Sequence, residues 1–469
     1  MEQPHSPAQR RAGAIAVALL LLAGAAPRPA AAAGLLQVWQ AASLNDRELA
    51  VAHAAQAAAA PQREQAASLW RPQVGVTGTL GVGSSRSEAR GAQFSAPGLG
   101  TSAGVGFDTS VNNGTATRWA ITASMPLYDP QRRAQQAQLM LSADMADLGW
   151  TQARQDAMLN TARRYYDLAL AAETLRVLEG QQAAVARAAT EAEDRFKLGA
   201  VPITDSQEAR ARLAAIRAQV LAARTDLEIK RSVLADSTGL APESLTAQLP
   251  AAGVPDAPAR SLQDWLAEAD AANVGLKMRR LAATIAAREA SKFSLSASPT
   301  VELVAQAGRD RLSGHGDFGP AGNTATNSLI GVQVSIPLYT GGYRDARQEQ
   351  ALRRVDQAQD EIALARQQVA QGVRTAWRGL SVGGERVAAL VEGVQASQAR
   401  RDATELGQQV GDRTTQDLLN AENDLAAARL ALAQARVALW LDRLQLAALT
   451  GTGEEAELRA ADAALTSGS

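Results

Sequence analysis

The 469-residue sequence contains no cysteine and only three histidines. Without cysteine there are no disulfides, Fe–S clusters, thiolate zinc sites or thiol nucleophiles, and no lipid can be attached to an N-terminal cysteine. One histidine, His5, lies in a segment read below as removed, so metal and acid–base chemistry have little to work with, and neither a cofactor nor a metal is expected. An excess of either charge is also lacking: 47 Lys and Arg stand against 48 Asp and Glu, a formal charge of −1, which gives no reason to expect nucleic acid as a partner. No Gly-x-x-x-x-Gly-Lys-Ser/Thr phosphate cradle occurs, so the chain supplies no nucleotide energy of its own. Aromatic residues make up only 4%. Alanine, by contrast, fills roughly one position in five, a composition that favours long helices packed closely through small side chains.

The N-terminus reads as a secretory signal. Gln9-Arg10-Arg11 precedes an apolar run from Ala12 to Ala26, and Ala31-Ala32-Ala33 offers the small-residue cleavage pattern. The run is shorter than the roughly 20 residues a spanning helix needs. Residues 1–33 are therefore expected to be removed. No later stretch is apolar for long enough to span a bilayer as a helix, so if the exported chain enters a membrane it must do so as a β-barrel, the other structure that satisfies its backbone in lipid.

Internal repetition is the most informative feature. Trp39 recurs as Trp265 after 226 positions, and Pro72 as Pro299 after 227. Met125-Pro126-Leu127-Tyr128 recurs as Ile336-Pro337-Leu338-Tyr339 after 211, and Ser237-Thr238-Gly239 as Leu449-Thr450-Gly451 after 212. One drop in offset between Pro72 and Pro126 marks an insertion in the first copy. Two ordered copies imply a duplication: a first repeat over 34–250, a second over 251–452, and a C-terminal tail over 453–469.

Each copy reads helix, strand, loop, strand, long helix, tight turn, helix. The first places a helix over 35–70, strands over 73–83 and 117–128, a long helix over 129–198 and a helix over 204–237. The second places a helix over 261–297, strands over 299–309 and 328–339, a long helix over 341–410 and a helix over 414–449. Val74, Val76, Leu80 and Val82 alternate with Gln73, Gly75, Thr77, Thr79 and Gly81, a period of two. Strands of about ten residues suit a tilted crossing of a bilayer, but four cannot close a barrel, since the smallest membrane barrels use about eight. The chain must then oligomerise, and three copies giving twelve strands is the simplest closure. A 70-residue helix is about 105 Å long at 1.5 Å per residue, beyond any globular domain of this size. In each copy the two shorter helices together match the long one, so each copy becomes a hairpin of two equal rods. The Pro/Gly/Ala-rich break over 238–260 is expected halfway up them. Interior glycines such as Gly180, Gly372, Gly379 and Gly383 each cost about 1 kcal/mol relative to alanine in such helices.

Two further motifs carry little. Gly100-Thr101-Ser102-Ala103-Gly104 has nucleophile-elbow spacing, but that motif needs a sharp strand-to-helix turn and a histidine partner, and here it sits in a Gly/Ser/Thr-rich loop between strands. Asn113-Gly114 is better read as the turn closing the first hairpin.

The signal segment, the duplicated helix–strand–strand–helix–helix units and the long rods together resemble the TolC-like outer-membrane efflux family. The most specific local pieces are Asp194-Arg195-Phe196-Lys197-Leu198-Gly199 leading to Ile203-Thr204-Asp205, and Val410-Gly411-Asp412-Arg413-Thr414 leading to Asp417-Leu418-Leu419-Asn420. The resemblance implies a mixed α+β membrane protein: a homotrimer whose twelve-stranded barrel, four strands per chain, lies in outer-membrane lipid and continues as a twelve-helix periplasmic tube of coiled coils. It implies docking to a periplasmic membrane-fusion adaptor and an inner-membrane transporter, and conduction of cargo without catalysis. The missing N-terminal cysteine leans the reading toward type I protein secretion, with an ABC transporter as the pump and a secreted protein such as a toxin as cargo. A multidrug efflux duct carrying small molecules is the alternative. An alternative of another class is a soluble periplasmic coiled-coil scaffold. By the same resemblance, Thr204, Asp205 and Arg413 match the lock of the closed periplasmic entrance, and Asp417 its acidic ring. Asn420 stands where a second aspartate is frequent, and Gln408 where a tyrosine can complete the lock. Leu198-Gly199-Ala200 and Val410-Gly411-Asp412 match the turns that meet the adaptor. A second role competes at each: Thr204 with Gln207, and Thr414 with Asp417, have capping-box spacing, Asp205 suits the dipole of a helix's first turn, and a glycine after a helix is a common terminator.

Overall fold

The computed structural model describes residues 34–98, 100–250, 260–317, 319–451 and 454–466. The signal segment over 1–33 and residues 251–259 of the Pro/Gly/Ala-rich break lie outside the described residues. The chain forms two compact units. One comprises the chain up to Ala55, Leu148–Lys277 and Leu364 onward; the other comprises Gln56–Asp147 and Met278–Ala363.

The first unit is helical, and the second also holds helical residues, 59–68, 130–147, 278–294 and 343–363. The expected helix over 35–70 is three helices, α1 (Leu35–Asn45), α2 (Arg47–Ala57) and α3 (Ala59–Ser68). Asp46 makes the first break: its backbone is extended, and its Oδ1 accepts from the amides of Glu48 and Leu49 at 2.7 and 3.4 Å, capping the next helix. Further along come the long α4 (Pro130–Lys197), α5 (Ile203–Thr238), α6 (Leu262–Ala272) and α7 (Val274–Ser294). Asn273 breaks α6 from α7 in the same manner, with Oδ1 accepting from the Leu276 amide at 3.0 Å. The two breaks are also anchored alike. Asn45 Nδ2 donates to the Thr238 carbonyl at 2.9 Å, and Asn273 Nδ2 to the Leu449 carbonyl at 3.0 Å.

The remaining long elements are α8 (Tyr343–Gln409) and α9 (Thr415–Thr450). Gly239 and Gly451, at φ of 70° and 65°, end α5 and α9 in the left-handed conformation that glycine adopts without strain. The stretch read as a tail contains a thirteen-residue helix, α10 (Glu454–Thr466). Its buried Leu458, Ala461 and Leu465 join Leu35, Val38, Trp39, Tyr165, Tyr166 and Leu444 in the largest core, and Asp462 Oδ1 accepts from the Leu36 amide at 3.1 Å.

The second unit contains one antiparallel sheet in the order β1-β2-β3-β4: β1 (Gln73–Ala96), β2 (Gly100–Tyr128), β3 (Thr300–Gly316) and β4 (Gly319–Ser335). The first hairpin corrects the sequence expectation. The stretch read as a Gly/Ser-rich loop is strand over 84–96 and 100–116, because glycines and register shifts near Gly83, Ala89 and Ala92 absorb the irregularity as bulges. Asn113-Gly114 is one such irregularity within β2, Asn113 lying at φ 48°, and the chain reverses near Gly98 instead. The elbow-like Gly100–Gly104 is extended strand as well. β4 starts earlier and ends earlier than expected. Its ladder stops where Ser335 pairs Thr300, the first residue of β3, two residues before Pro337, which could not donate.

Cross-strand partners share a face, so the register gathers the alternating residues into two surfaces. One carries Val74, Val76, Leu80 and Val82 on β1; Trp119, Ile121, Ala123 and Met125 on β2; Val301, Leu303, Ala305 and Ala307 on β3; and Ile330, Val332 and Val334 on β4. These apolar groups are largely bare, Val82 at 82%. The apolar band slants across the ladder. Val82 pairs Thr115, which pairs Ser313, whereas the apolar run ends at Ala307 on β3 and at Ile330, opposite Ala305, on β4. That is the stagger tilted barrel strands require. The other face is polar: Thr79, Arg118, Asp310 and Asn323 line a cavity of about 500 Å³ on it, and Arg118 Nε meets Asp310 Oδ1 at 2.6 Å.

Candidate functional site

The residues singled out in the sequence fall at two turns, one between α4 and α5, the other between α8 and α9. In the first, the amides of Leu198, Gly199 and Ala200 donate to Asp194, Phe196 and Arg195 carbonyls at 3.1, 2.9 and 2.8 Å, with Gly199 at φ 71°. In the second, Val410, Gly411 and Asp412 donate to Leu406, Gln408 and Gly407 at 3.2, 3.2 and 2.8 Å, with Gly411 at φ 84°. The turns are thus near copies, and each presents a bare apolar side chain: Leu198 is 84% exposed and Val410 75%.

Thr414 caps α9. Its Oγ1 accepts from the Asp417 amide at 3.1 Å, while Asp417 Oδ2 accepts from the Thr414 amide at 3.0 Å and its hydroxyl at 2.9 Å. These bonds, the backbone one foremost, hold the Asp417 carboxyl below the usual carboxylate range. The corresponding box at Thr204 does not form. Pro202 is the N-cap of α5 without a side-chain bond, and Thr204 Oγ1 reaches only Asp205 Oδ1 at 3.4 Å.

Gln408 is buried, at 1% exposure. Its Nε2 donates to Glu191 Oε1 at 3.2 Å and its carbonyl accepts from Arg195 at 3.3 Å, while Arg195 pairs with Glu191 at 3.0 Å. The last turn of α8 is tied to α4 through this triad. Arg413 is exposed, and its stem lies over Gly407, where a Cβ would come within 2.8 Å of Cγ. Asn420 Oδ1 accepts from Arg212 of α5 at 3.4 Å.

Within one chain the fold brings Asp417 together with Thr414, Gln408 with Glu191 and Arg195, and Asn420 with Arg212. No hydrogen bond or ion pair among the described residues joins Thr204 or Asp205 to Arg413. Sequence reasoning missed Glu191, Arg195, Gly407 and Arg212. It also missed Glu193, whose carboxylate takes Arg210 at 2.8 Å and Lys197 at 3.2 Å and is held below its usual range chiefly by the Arg210 bond. The four-residue spacings of Glu191 with Arg195 and of Glu193 with Lys197 were the signals available in sequence; Arg210 and Arg212 act across helices, and Gly407 meets Arg413 only because the turn folds back.

Beneath the turns, Leu419 packs on Val185, Ala188, Ala189, Ala192, Ala209 and Ile216, joining α9 to α4 and α5. Higher up, Arg401 Nε faces Glu422 Oε1 at 3.2 Å, and Arg400 pairs with Asp424. Burial raises the Glu422 carboxyl above its usual range despite that arginine. Among the described residues no group of three or more acidic or histidine side chains could hold a metal ion, and no helix is long and apolar enough to cross a membrane.

The outer membrane efflux protein family matches residues 38–240 and 272–452. The chain is similar to the outer membrane protein TolC of Escherichia coli, with 27% identity over 442 residues covering 93% of this chain and 85% of that protein. It is similar to the proteases secretion protein PrtF of Dickeya chrysanthemi, with 26% identity covering 96% and 94%. Among solved structures, the Campylobacter jejuni CmeC outer membrane channel matches with a TM-score of 0.70 at 16% identity over 92% of this chain and 89% of that one. Vibrio cholerae VceC matches with a TM-score of 0.68 at 18% identity over 90% and 96%. The family and these neighbours are channel proteins rather than enzymes. The chain belongs to the outer membrane efflux protein family, and it resides in the outer membrane with an extension into the periplasm.

Proposed function

We propose that three copies close a twelve-stranded barrel in the outer membrane and continue it as a twelve-helix tube, forming the exit duct of a type I protein secretion system. The observation that carries this reading is the four-stranded sheet with an apolar band slanting across one face, a polar face opposite, and two edges, β1 and β4, that no described strand pairs. Such a sheet is one segment of a tilted barrel and is stable in lipid only when its edges are closed by copies of itself. The duct would receive cargo from an inner-membrane ABC transporter through a periplasmic adaptor, with the exposed Leu198 and Val410 of the two turns as the adaptor contact. Thr204 and Asp205 of one coiled coil would meet Arg413 of a neighbouring one, closing the entrance, with three Asp417 carboxylates around the axis as a focus of negative potential.

Similarity to a secretion protein over nearly the whole chain favours protein cargo. A second reading, drug efflux, is favoured by the 31% identity over 282 residues to the outer membrane efflux protein BepC of Brucella suis. Deleting the chain and assaying the culture supernatant beside a drug-susceptibility panel separates them. Loss of a secreted protein with unchanged drug tolerance supports secretion, and the converse overturns it. Single-channel conductance of the purified trimer in planar bilayers tests the duct itself.

A further inference from the structure

On β3 the apolar alternation Leu303, Ala305, Ala307 continues on the same face as Arg309 and Arg311. Both arginines are exposed. In the register Arg309 lies between Trp119 of β2 and Thr326 of β4, and Arg311 between Thr117 and Thr324. The carboxylate between them, Asp310, points to the opposite face, where Arg118 takes it at 2.6 Å. Arg311 Nε donates only to Ser313 Oγ at 3.3 Å, and Arg309 makes no ion pair among the described residues. Two guanidinium groups, about 7 Å apart along the strand, thus stand without a carboxylate on their own face, beside an indole and three threonines.

Their height follows from the band. They begin where the apolar run of β3 ends, and Trp119 tops that of β2. Tryptophan marks the boundary between hydrocarbon and head groups, and a guanidinium is costly at the midplane but tolerated at the interface. The helical elements join the sheet near Gln73, Tyr128, Thr300 and Ser335, whereas the arginines lie toward the hairpin ends. That end is the outer one in the barrel proposed above, on which this inference rests. The guanidinium fork matches phosphate oxygens in pairs.

We propose that Arg309 and Arg311 form a phosphate-binding site on the lipid-facing surface of the barrel, for the phosphorylated head groups of glycolipid in the outer leaflet. The site tethers each protomer to its surrounding lipid and leaves the lumen, with Arg118 and Asp310, out of the contact.

The test titrates the purified full-length trimer with bisphosphorylated lipid A and counts bound lipid by native mass spectrometry. The same acyl chains without phosphate, and inorganic phosphate as competitor, run alongside. Arg309→Gln with Arg311→Gln should lower lipid A affinity at least about tenfold, as loss of charge-assisted hydrogen bonds implies, and the double lysine variant should recover part of it. Arg118→Gln should bind like wild type, and inorganic phosphate should not displace the lipid. Equal retention by the glutamine variant, an equal loss in Arg118→Gln, equal binding of the dephosphorylated lipid, or displacement by inorganic phosphate would each overturn the proposal. Conductance of the wild-type trimer is measured on the same preparation. A silent wild type removes the barrel reading, and this proposal with it; a conducting wild type with unaltered lipid binding in the variant removes the phosphate site alone.

Discussion

Gly383 and Gly393 lie ten residues apart in α8, both in a helix interior, yet replacement by alanine should affect stability differently at the two. At Gly393 a Cβ would meet nothing within 4 Å, so Gly393→Ala gains helix propensity, about 1 kcal/mol. At Gly383 a Cβ would stand 2.4 Å from Leu439 Cδ1. Leu439, 3% exposed, is enclosed by Val373, Ala376, Leu380 and Leu446, and cannot retreat without displacing them. Overpacking of this kind costs about 1–3 kcal/mol, which offsets or exceeds the same propensity gain. Because that gain is common to both variants, their difference isolates the packing cost: about 1–3 kcal/mol, or roughly a 5- to 150-fold separation in unfolding equilibrium. Urea unfolding of the detergent-solubilised protein, followed by helical circular dichroism, measures it. If Gly383→Ala proves as stable as Gly393→Ala, the close approach of α8 and α9 at this level is wrong.

Leu419→Ala removes the side chain that joins α9 to α4 and α5 and should destabilise by about 2–5 kcal/mol in the same urea assay. Arg413→Ser or Asp205→Ala should raise basal conductance in planar bilayers by loosening the entrance; wild-type conductance in both would remove the assigned lock while leaving the duct. Asp417→Ala should weaken cation selectivity, and unchanged selectivity would leave the Thr414 capping box as that residue's whole role. Asp442 sits half-buried against Gly379, and desolvation raises its carboxyl above the usual range. A folded-state value above the unfolded one means that stability is complete below the ordinary value near pH 4 and declines as pH rises through the raised one. Asp442→Asn should therefore be more stable than wild type at pH 7, with the gap closing in acid denaturation curves toward pH 4.

Period-two alternation in Val74–Val82 and Val301–Ala307, and long alanine-rich stretches around a Gly turn, identify strands and rods in the sequence, because each rests on a local repeat that tertiary contacts do not alter. Thr414 and Asp417 were legible as a capping box for the same reason: three residues of spacing suffice. The anchoring of the break beside Asn45, the strand character of 84–96 and 100–116 and the α10 helix were decided by tertiary partners, namely the Thr238 carbonyl, a cross-strand register with bulges, and the Leu35–Trp39 core. Thr204 and Thr414 look alike in sequence, and only the fold distinguishes them, starting α5 at Pro202 and burying Gln408 beside Glu191. Local periodicity thus wrote the elements, while their faces, ends and charge partners were decided by packing, since a side chain's environment depends on residues whose sequence separation it cannot encode.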